Sequence, residues 1–148
     1  TPAEIYSHPA NLFVADFMGS PAMNLIPAKV KKNGKGTQFI IENKDRDDLI
    51  LTDRHASNLP EEIVLGIRPE DIGDSKLQKH NHDQVASCLI DVLEPAGADT
   101  YALMSLGGVE VTARLQAETS AIAGLPMDLS FNMDKVSYFD ANTGERLN

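Results

Sequence analysis

Three charged side chains stand together at the end of an apolar run, where Arg68 is followed by Pro69, Glu70 and Asp71. Two adjacent carboxylates beside an arginine could carry general acid–base chemistry. The same grouping also serves as a structural ion pair or as the cap of a turn. Pro69 fixes its own φ and biases Arg68 toward an extended conformation. We therefore predict a stiff, charged corner that is structural or belongs to an interface.

Two histidines, His80 and His82, are a second candidate for chemistry. A His-x-His pair in a strand places both rings on one face, where they can bind a metal ion. The segment around them is polar, however, and no third ligand follows at a recognisable spacing. We interpret it as a solvated loop, predict no metal site, and leave the role of the two histidines open.

Two glycine-containing stretches match phosphate-binding motifs only in part. Gly34-Lys35-Gly36-Thr37 lacks the early glycine of a P-loop and has Gly36 where that loop needs Ser or Thr. Residues 105–110 carry a scrambled version of the signature motif of transporter ATPases, in a strand–turn–strand pattern without a helix start. We predict that both are hairpin turns.

The remaining nucleophile and base candidates, Cys88 and His8, have no convincing catalytic partners in the sequence, and no Gly-x-Ser-x-Gly elbow is present. Cys88 is predicted to be a small buried hydrophobe. A single cysteine excludes an intrachain disulfide. We therefore predict a non-enzymatic acidic β domain without a cofactor or metal of its own.

Composition narrows the partners further. The 148 residues carry a formal net charge of −9 and a pI of about 4.7, which disfavours nucleic acid because phosphates require a basic surface. Aromatic residues are only 5% and tryptophan is absent, so stacking platforms for single-stranded nucleic acid are also disfavoured. No apolar run approaches the ~20 residues that span a bilayer. The sequence has no signal peptide and no initiator methionine, so we expect a fragment of a longer protein.

The elements that position these residues are mostly short strands. Helical patterns are confined to residues 1–6 and 10–18, and a polar stretch at 73–84 is expected to be a loop between two halves. A barrel or Greek-key fold, specifically a small OB-like barrel, suits these strand lengths. Hairpin turns are predicted at residues 33–36 and at Gly107-Gly108. The predicted strands are 23–30, 37–42, 49–52, 63–67, 85–93, 100–106, 109–115, 127–132 and 136–139.

Three motifs in the same order resemble those of a known family, the ATP-binding subunits of carbohydrate-importing ABC transporters. The N-terminal Thr-Pro-Ala-Glu-Ile-Tyr, with Gly19-Ser20-Pro21-Ala22-Met23-Asn24 after it, resembles the region that follows the ATPase domain. Residues 65–71, Leu-Gly-Ile-Arg-Pro-Glu-Asp, are similar to a hallmark turn of the family's C-terminal regulatory domain. Phe139-Asp140 with Thr143-Gly144 resembles its closing turn.

The resemblance implies a transport-associated OB (TOBE) fold, with residues 1–22 as a helical linker and 23–148 as the regulatory domain. It further implies pairing with a second copy of the subunit, membrane permease partners, a possible regulatory protein, and a cytoplasmic place at the inner face of the membrane. ATP and Mg²⁺ would bind upstream of these residues. The branch is the sugar or glycerol-phosphate one, and a small-molecule or oxyanion sensor is the alternative.

The structural or interface residues that the resemblance implies come from all three motifs. They are Gly19, Pro21, Asn24, Gly66, Arg68, Pro69, Glu70, Asp71, Phe139 and Asp140.

One departure from the family pattern is the proline in Glu94-Pro95-Ala96-Gly97, which alters the expected shape of that loop.

Overall fold

A computed structural model describes residues 22–34 and 36–148, and these form antiparallel strands in three sheets. The strands are β1 Asn24–Asn33, β2 Gly36–Ile41, β3 Leu49–Asp53, β4 Glu62–Ile67, β5 Ile72–Asp74, β6 Asp83–Leu89, β7 Val92–Ala96, β8 Asp99–Leu106, β9 Val109–Gln116, β10 Pro126–Asn132 and β11 Ser137–Asp140. The first sheet has the order β11-β4-β1-β2-β3, the second β5-β10-β6, and the third β7-β8-β9.

The prediction of a mainly β protein is confirmed, and eight of the nine predicted strands match observed strands to within three residues at either end. Both hairpins are also confirmed. β1 and β2 pair from Asn33 opposite Gly36, and the β8–β9 turn holds Gly107 and Gly108 at φ 62° and 81°. The helical patterns at residues 1–6 and 10–18, with Gly19 and Pro21, lie outside the described residues.

The single strand predicted for residues 85–93 is wrong. The chain changes sheets at Ile90 and Asp91, so β6 ends at Leu89 and β7 begins at Val92. The Ile90 N–H donates to the Leu125 carbonyl at 3.2 Å, whereas the Asp91 N–H donates to the Leu103 carbonyl at 2.9 Å. Alternation of apolar residues continues through the break because both sheets contribute to one core, and so the pattern alone could not locate it.

The polar stretch at residues 73–84 is only partly a loop. Its first residues complete β5, its last belong to β6, and turns lie between them. Asp74 is buried, and its carboxylate accepts hydrogen bonds from the Lys76 N–H at 3.0 Å and the Thr119 hydroxyl at 2.7 Å. The polar residues of this stretch therefore include a buried, hydrogen-bonded aspartate as well as residues in solvated turns. The division of the chain near this point remains a prediction.

The family-pattern departure at Glu94-Pro95-Ala96-Gly97 forms the end of β7 and the start of a tight turn into β8. Pro95 lies on β7 at the edge of its sheet, where a residue without an N–H is tolerated. Gly97 has a φ of 66°, a value that an L-residue with a side chain rarely adopts. The segment is thus a β-hairpin.

A glycine in β4 allows three distant parts of the chain to pack together. Gly66 pairs with Leu25 of β1 on one side and with Ser137 of β11 on the other. A Cβ atom at Gly66 would lie 2.6 Å from the Met23 sulfur and 2.7 Å from the Phe139 ring. Only glycine permits this close approach.

The side chain of Asn24 joins the first and third sheets through the pair of hydrogen bonds that a neighbouring strand would make. Asn24 is buried, and its amide donates to the Thr112 carbonyl at 2.8 Å while its carbonyl oxygen accepts from the Thr112 N–H at 2.9 Å. These two bonds tie β1 to β9, 88 residues further along the chain. Neither an aspartate nor an aliphatic side chain could form both bonds.

We predict that Asn24→Asp lowers the free energy of unfolding by about 2–3 kcal/mol. The carboxylate would lose the donor to Thr112 and face its carbonyl oxygen in a buried position. Urea unfolding of the chain measures the effect, and Asn142→Asp, at an exposed turn residue, is the matched control, with an expected change within about 0.5 kcal/mol. Equal losses of unfolding free energy in the two variants would show that the two hydrogen bonds between Asn24 and Thr112 do not stabilise the fold.

Candidate functional site

The charged corner lies between β4 and β5, and its backbone follows the prediction. Arg68 is extended, with φ −74° and ψ 151°, and Pro69–Asp71 forms a single 3-10 turn. The Asp71 N–H donates to the Arg68 carbonyl at 2.9 Å and closes the turn. Pro69 therefore ends the strand and begins the turn, as its fixed φ requires.

The Arg68 residue is only 3% exposed, which is rare for an arginine. A charged group in such a place needs compensation from polar neighbours, because desolvation of an isolated charge is very costly. The corner supplies carboxylates close by, and the guanidinium acts electrostatically on Asp71. A side chain buried in this way is part of the architecture of the corner.

Gln78, which the sequence analysis missed, connects the charged corner to two neighbouring strands by hydrogen bonds. The Gln78 side-chain amide donates to the Glu70 carbonyl at 2.9 Å, and the Gln78 backbone N–H donates to the Asp74 carbonyl at 2.9 Å. The Ser130 hydroxyl donates to the Gln78 carbonyl at 3.1 Å. The 3-10 turn, β5 and β10 are thus fixed together. No local sequence pattern marks Gln78, since its partners lie on three separate elements.

The corner borders a cavity of about 250 Å³. The closing residues of the chain supply its opposite wall, although they lie about 70 positions away in sequence. Its charged lining is balanced, with three basic and three acidic side chains, so it does not form an anion pocket of one sign. These charged residues are Arg68, Lys135, Arg146, Glu70, Asp71 and Asp134.

One carboxyl at this cavity is shifted toward neutral pH. Burial, and then the neighbouring Glu70 carboxylate, raise the pKa of Asp71 to about 6, against the opposing effects of Lys135, His80 and Arg68. A carboxyl with a pKa near 6 can exchange protons close to physiological pH. The cavity lining also includes Ser137, but this residue is only 2% exposed and is the first residue of β11.

The closing motif forms a turn that seats the end of the chain. Phe139 is completely buried against Gly66 and Met23. The Asp140 carboxylate accepts from the backbone N–H groups of Asn142 at 2.7 Å and Thr143 at 2.9 Å. These two bonds lower the pKa of Asp140. Asp140 is therefore the anchor of a turn.

The structure brings several of the predicted residues together around β4. Asn24 and Gly66 belong to adjacent strands, Phe139 lies against Gly66, and Arg68 directly follows β4. Asp140 lies at the end of β11, outside the cavity lining. A functional role for these residues stays a prediction.

The two histidines point to different partners. His82 Nδ1 lies 2.8 Å from the Asp134 carboxylate, whereas His80 Nδ1 lies 3.5 Å from that of Asp83. The His82 ring meets the edge of His55, with ring centroids 5.3 Å apart. Among residues 22–34 and 36–148, no group of three or more His, Cys, Asp or Glu side chains is arranged to hold a metal ion.

Two buried side chains have core roles. Cys88 is 2% exposed, which confirms its prediction as a small hydrophobe, and burial raises the pKa of its thiol to about 12. Tyr138 stacks on Phe39 with centroids 4.8 Å apart and donates to the Asp53 carboxylate at 2.5 Å. Burial and this hydrogen bond raise the pKa of Tyr138 far above its ordinary value.

We predict that Asp71→Asn becomes relatively more stabilising as pH rises. The folded carboxyl keeps its proton up to about pH 6, while the unfolded one loses it near 3.8, so the natural chain loses stability between those values. The uncharged asparagine escapes this loss, which should be about 1 kcal/mol because the partly exposed group is screened by water. The difference in unfolding free energy between variant and natural chain, measured at pH 4 and pH 7.5, checks this. A difference independent of pH would contradict it.

Comparison with protein-family models places residues 19–72 in the MalK OB fold domain. The matched segment includes β1 to β4 and the charged corner, and ends at the first residue of β5.

Curated relatives match nearly the whole chain. The sn-glycerol-3-phosphate import ATP-binding protein UgpC of Cupriavidus metallidurans is 35% identical over 151 residues, covering 99% of this chain and 40% of that protein. The multiple sugar-binding transport ATP-binding protein MsmK of Streptococcus mutans is 34% identical over 150 residues, covering 97% and 38%. The chain thus spans about two fifths of the length of the curated relatives it matches.

A solved structure supports the fold independently. The cytoplasmic molybdate-binding protein ModG, in a molybdate-bound crystal form, aligns with a TM-score of 0.50 over 78% of this chain and 94% of its own, at 15% identity. Identity at this level bears on the fold alone.

Among the described residues, no helix is long and apolar enough to cross a membrane.

The three sequence motifs, the matched domain and the relatives along nearly the whole chain agree. Residues 19–72 match the MalK OB fold domain family, and the chain as a whole is similar to part of the ATP-binding subunits of glycerol-phosphate and sugar importers.

Proposed function

We propose that this chain is the regulatory and dimerisation domain of the ATP-binding subunit of an ABC importer, with a sugar or a glycerol phosphate as the transported solute. The observation that carries the proposal is the 35% identity to a glycerol-phosphate import subunit along 99% of the chain. The domain would hold two subunits together while their ATP-binding parts open and close, through many weak contacts about a two-fold axis.

The domain itself would perform no catalysis. ATP and Mg²⁺ would bind in a part of the subunit outside these residues, which is consistent with a chain that spans 40% of its relative. The two stretches with phosphate-motif character support this assignment. One lies at the β1–β2 hairpin and the other at the β8–β9 hairpin, and neither is followed by a helix whose N-terminus could face a phosphate.

Partners and location follow from the same proposal. Membrane permease subunits would bind through the ATP-binding part, and the assembly would sit at the cytoplasmic face of the membrane. The exposed surface offers apolar side chains that a subunit interface could cover. Ile122 is 58% exposed and Leu125 51%, both in the connection between β9 and β10. Large exposed apolar groups close together commonly mark contact surfaces.

The alternative function, an oxyanion-sensing module, has weaker support. The cavity beside Arg68 contains as many acidic as basic side chains, so its field would not favour an anion. The similarity to ModG shows the fold and does not transfer a ligand. Absence of a thermal shift with sugar phosphates, phosphate, sulfate and molybdate would agree with this ranking.

We predict that deletion of residues 23–148 from the intact subunit weakens its self-association by at least about tenfold, because the main contact surface between copies is removed. Sedimentation equilibrium measures the dimer, and nucleotide binding by the remaining protein verifies that its ATP-binding part is folded. Unchanged dimerisation in a truncated protein that still binds ATP would show that the domain has another role.

A further inference from the structure

Two strands at the edges of different sheets face each other without forming a ladder. β3 is the last strand of the five-stranded sheet, and β6 is the last strand of the β5-β10-β6 sheet. They are bridged through a side chain, since the Thr52 N–H donates to the Gln84 side-chain oxygen at 3.2 Å. An edge strand presents backbone donors and acceptors that a further strand can use.

Hydrogen-bond alternation shows which backbone groups of β3 face β6. The Thr52 N–H is directed at Gln84 of β6 and therefore away from β2. In an antiparallel strand, alternate residues direct their N–H and C=O groups to the same edge. Ile50, two positions earlier, thus presents its backbone groups toward β6 as well.

The orientation of β6 follows from two observations. Ile90 bonds on the β10 side, because its N–H donates to the Leu125 carbonyl. Pro126, which has no N–H, lies opposite Leu89, where the ladder needs no donor. Val85, Ser87 and Leu89 therefore direct their backbone groups away from β10, toward the open edge.

A groove of about 820 Å³ lies between the two edges. Its walls include Ile50 and Val85, which are 49% and 57% exposed, although apolar strand residues of this size are usually buried. The outward-facing backbone of Val85, Ser87 and Leu89 extends over about 13 Å, the length of a four- or five-residue strand. The groove is thus matched to an extended chain.

The rim of the groove determines the charge of its occupant. Asp45, Asp47 and Asp48 line it with Arg46 as the one opposing charge among them. The chain as a whole carries a net charge of −9, so a second copy would bring like charges against this rim. An occupant with lysine or arginine side chains is complementary to it.

We propose that this groove binds an extended basic segment of a partner protein. The segment adds a strand along β6, inserts its apolar side chains between Ile50 and Val85, and pairs its basic side chains with Asp45, Asp47 and Asp48. Main-chain hydrogen bonds supply affinity in this mode, and alternate side chains supply selectivity. The proposal rests on the two strand edges and the rim, and is independent of the proposed role in dimerisation.

The test uses a fluorescein-labelled probe peptide, Lys-Val-Lys-Val-Lys-Val-Lys with blocked ends, and fluorescence anisotropy with the intact protein. Two control peptides keep the charge but are N-methylated at alternate residues, one in each register. Strand addition requires that at least one of them binds about tenfold more weakly. Equal binding by all three peptides overturns the proposal.

Protein variants separate the groove from general acidity. The triple variant Asp45→Asn, Asp47→Asn, Asp48→Asn should bind the probe about tenfold more weakly. Its matched control, with Glu94→Gln, Glu110→Gln and Glu118→Gln, removes the same number of exposed charges outside the groove and should change affinity less than about twofold. Equal weakening in both triple variants would reveal only nonspecific attraction and contradict the proposal.

Two further variants complete the test. Ser87→Pro removes a donor that faces the groove while the β10 ladder keeps its bonds, and should reduce probe binding with little change in thermal stability. Ile50→Lys distinguishes the occupants, because it repels a basic segment. If Ile50→Lys converts a dimer of the protein to monomers in light scattering, a second copy occupies the groove and the proposal fails.

Discussion

The close approach at Gly66 is the constraint on which the rest of the structure depends. Met23 before β1, Gly66 in β4 and Phe139 in β11 come from the beginning, middle and end of the described residues, and they meet where a single Cβ atom would overlap both neighbours. β4 can therefore sit between β1 and β11 with both partners close. Asn24, one residue after Met23, then connects this sheet to β9 through Thr112. The charged corner follows β4 directly, so its position is determined by the same contacts.

Much of this arrangement could be predicted from local chemistry. Pro69 dictates an extended Arg68 and a turn after it, and paired glycines dictate the β8–β9 hairpin, because these effects involve only neighbouring residues. The switch of sheets at Ile90 and the hydrogen bonds that Gln78 makes to the corner could not be predicted in this way. Their hydrogen bonds join residues that are far apart in sequence, and neither alternation nor composition records such partners. The burial of Arg68 could not be predicted from the sequence either, since an arginine beside two carboxylates is equally typical of a solvated surface.

We still predict a structural role, and not a catalytic one, for the charged corner. Arg68 is enclosed, Glu70 is held through its backbone by Gln78, and the pKa of Asp71 is raised by burial. The interaction surfaces that we propose lie elsewhere, at the apolar connection before β10 and along the groove between β3 and β6. An acidic domain with a rigid core and separate contact surfaces suits a regulatory role, because partners can bind without rearrangement of the core.

The proposal that the domain holds two subunits together is tested most directly by an inter-subunit distance in the intact transporter. A spin label at Glu118→Cys reports it, and the native Cys88 is too buried and too weakly acidic to be labelled in the folded state. Pulsed dipolar spectroscopy with and without ATP should give one well-defined distance between the two copies that does not change, while labels in the ATP-binding parts move. A distance at residue 118 that changes as much as theirs, or no defined distance at all, would contradict the account.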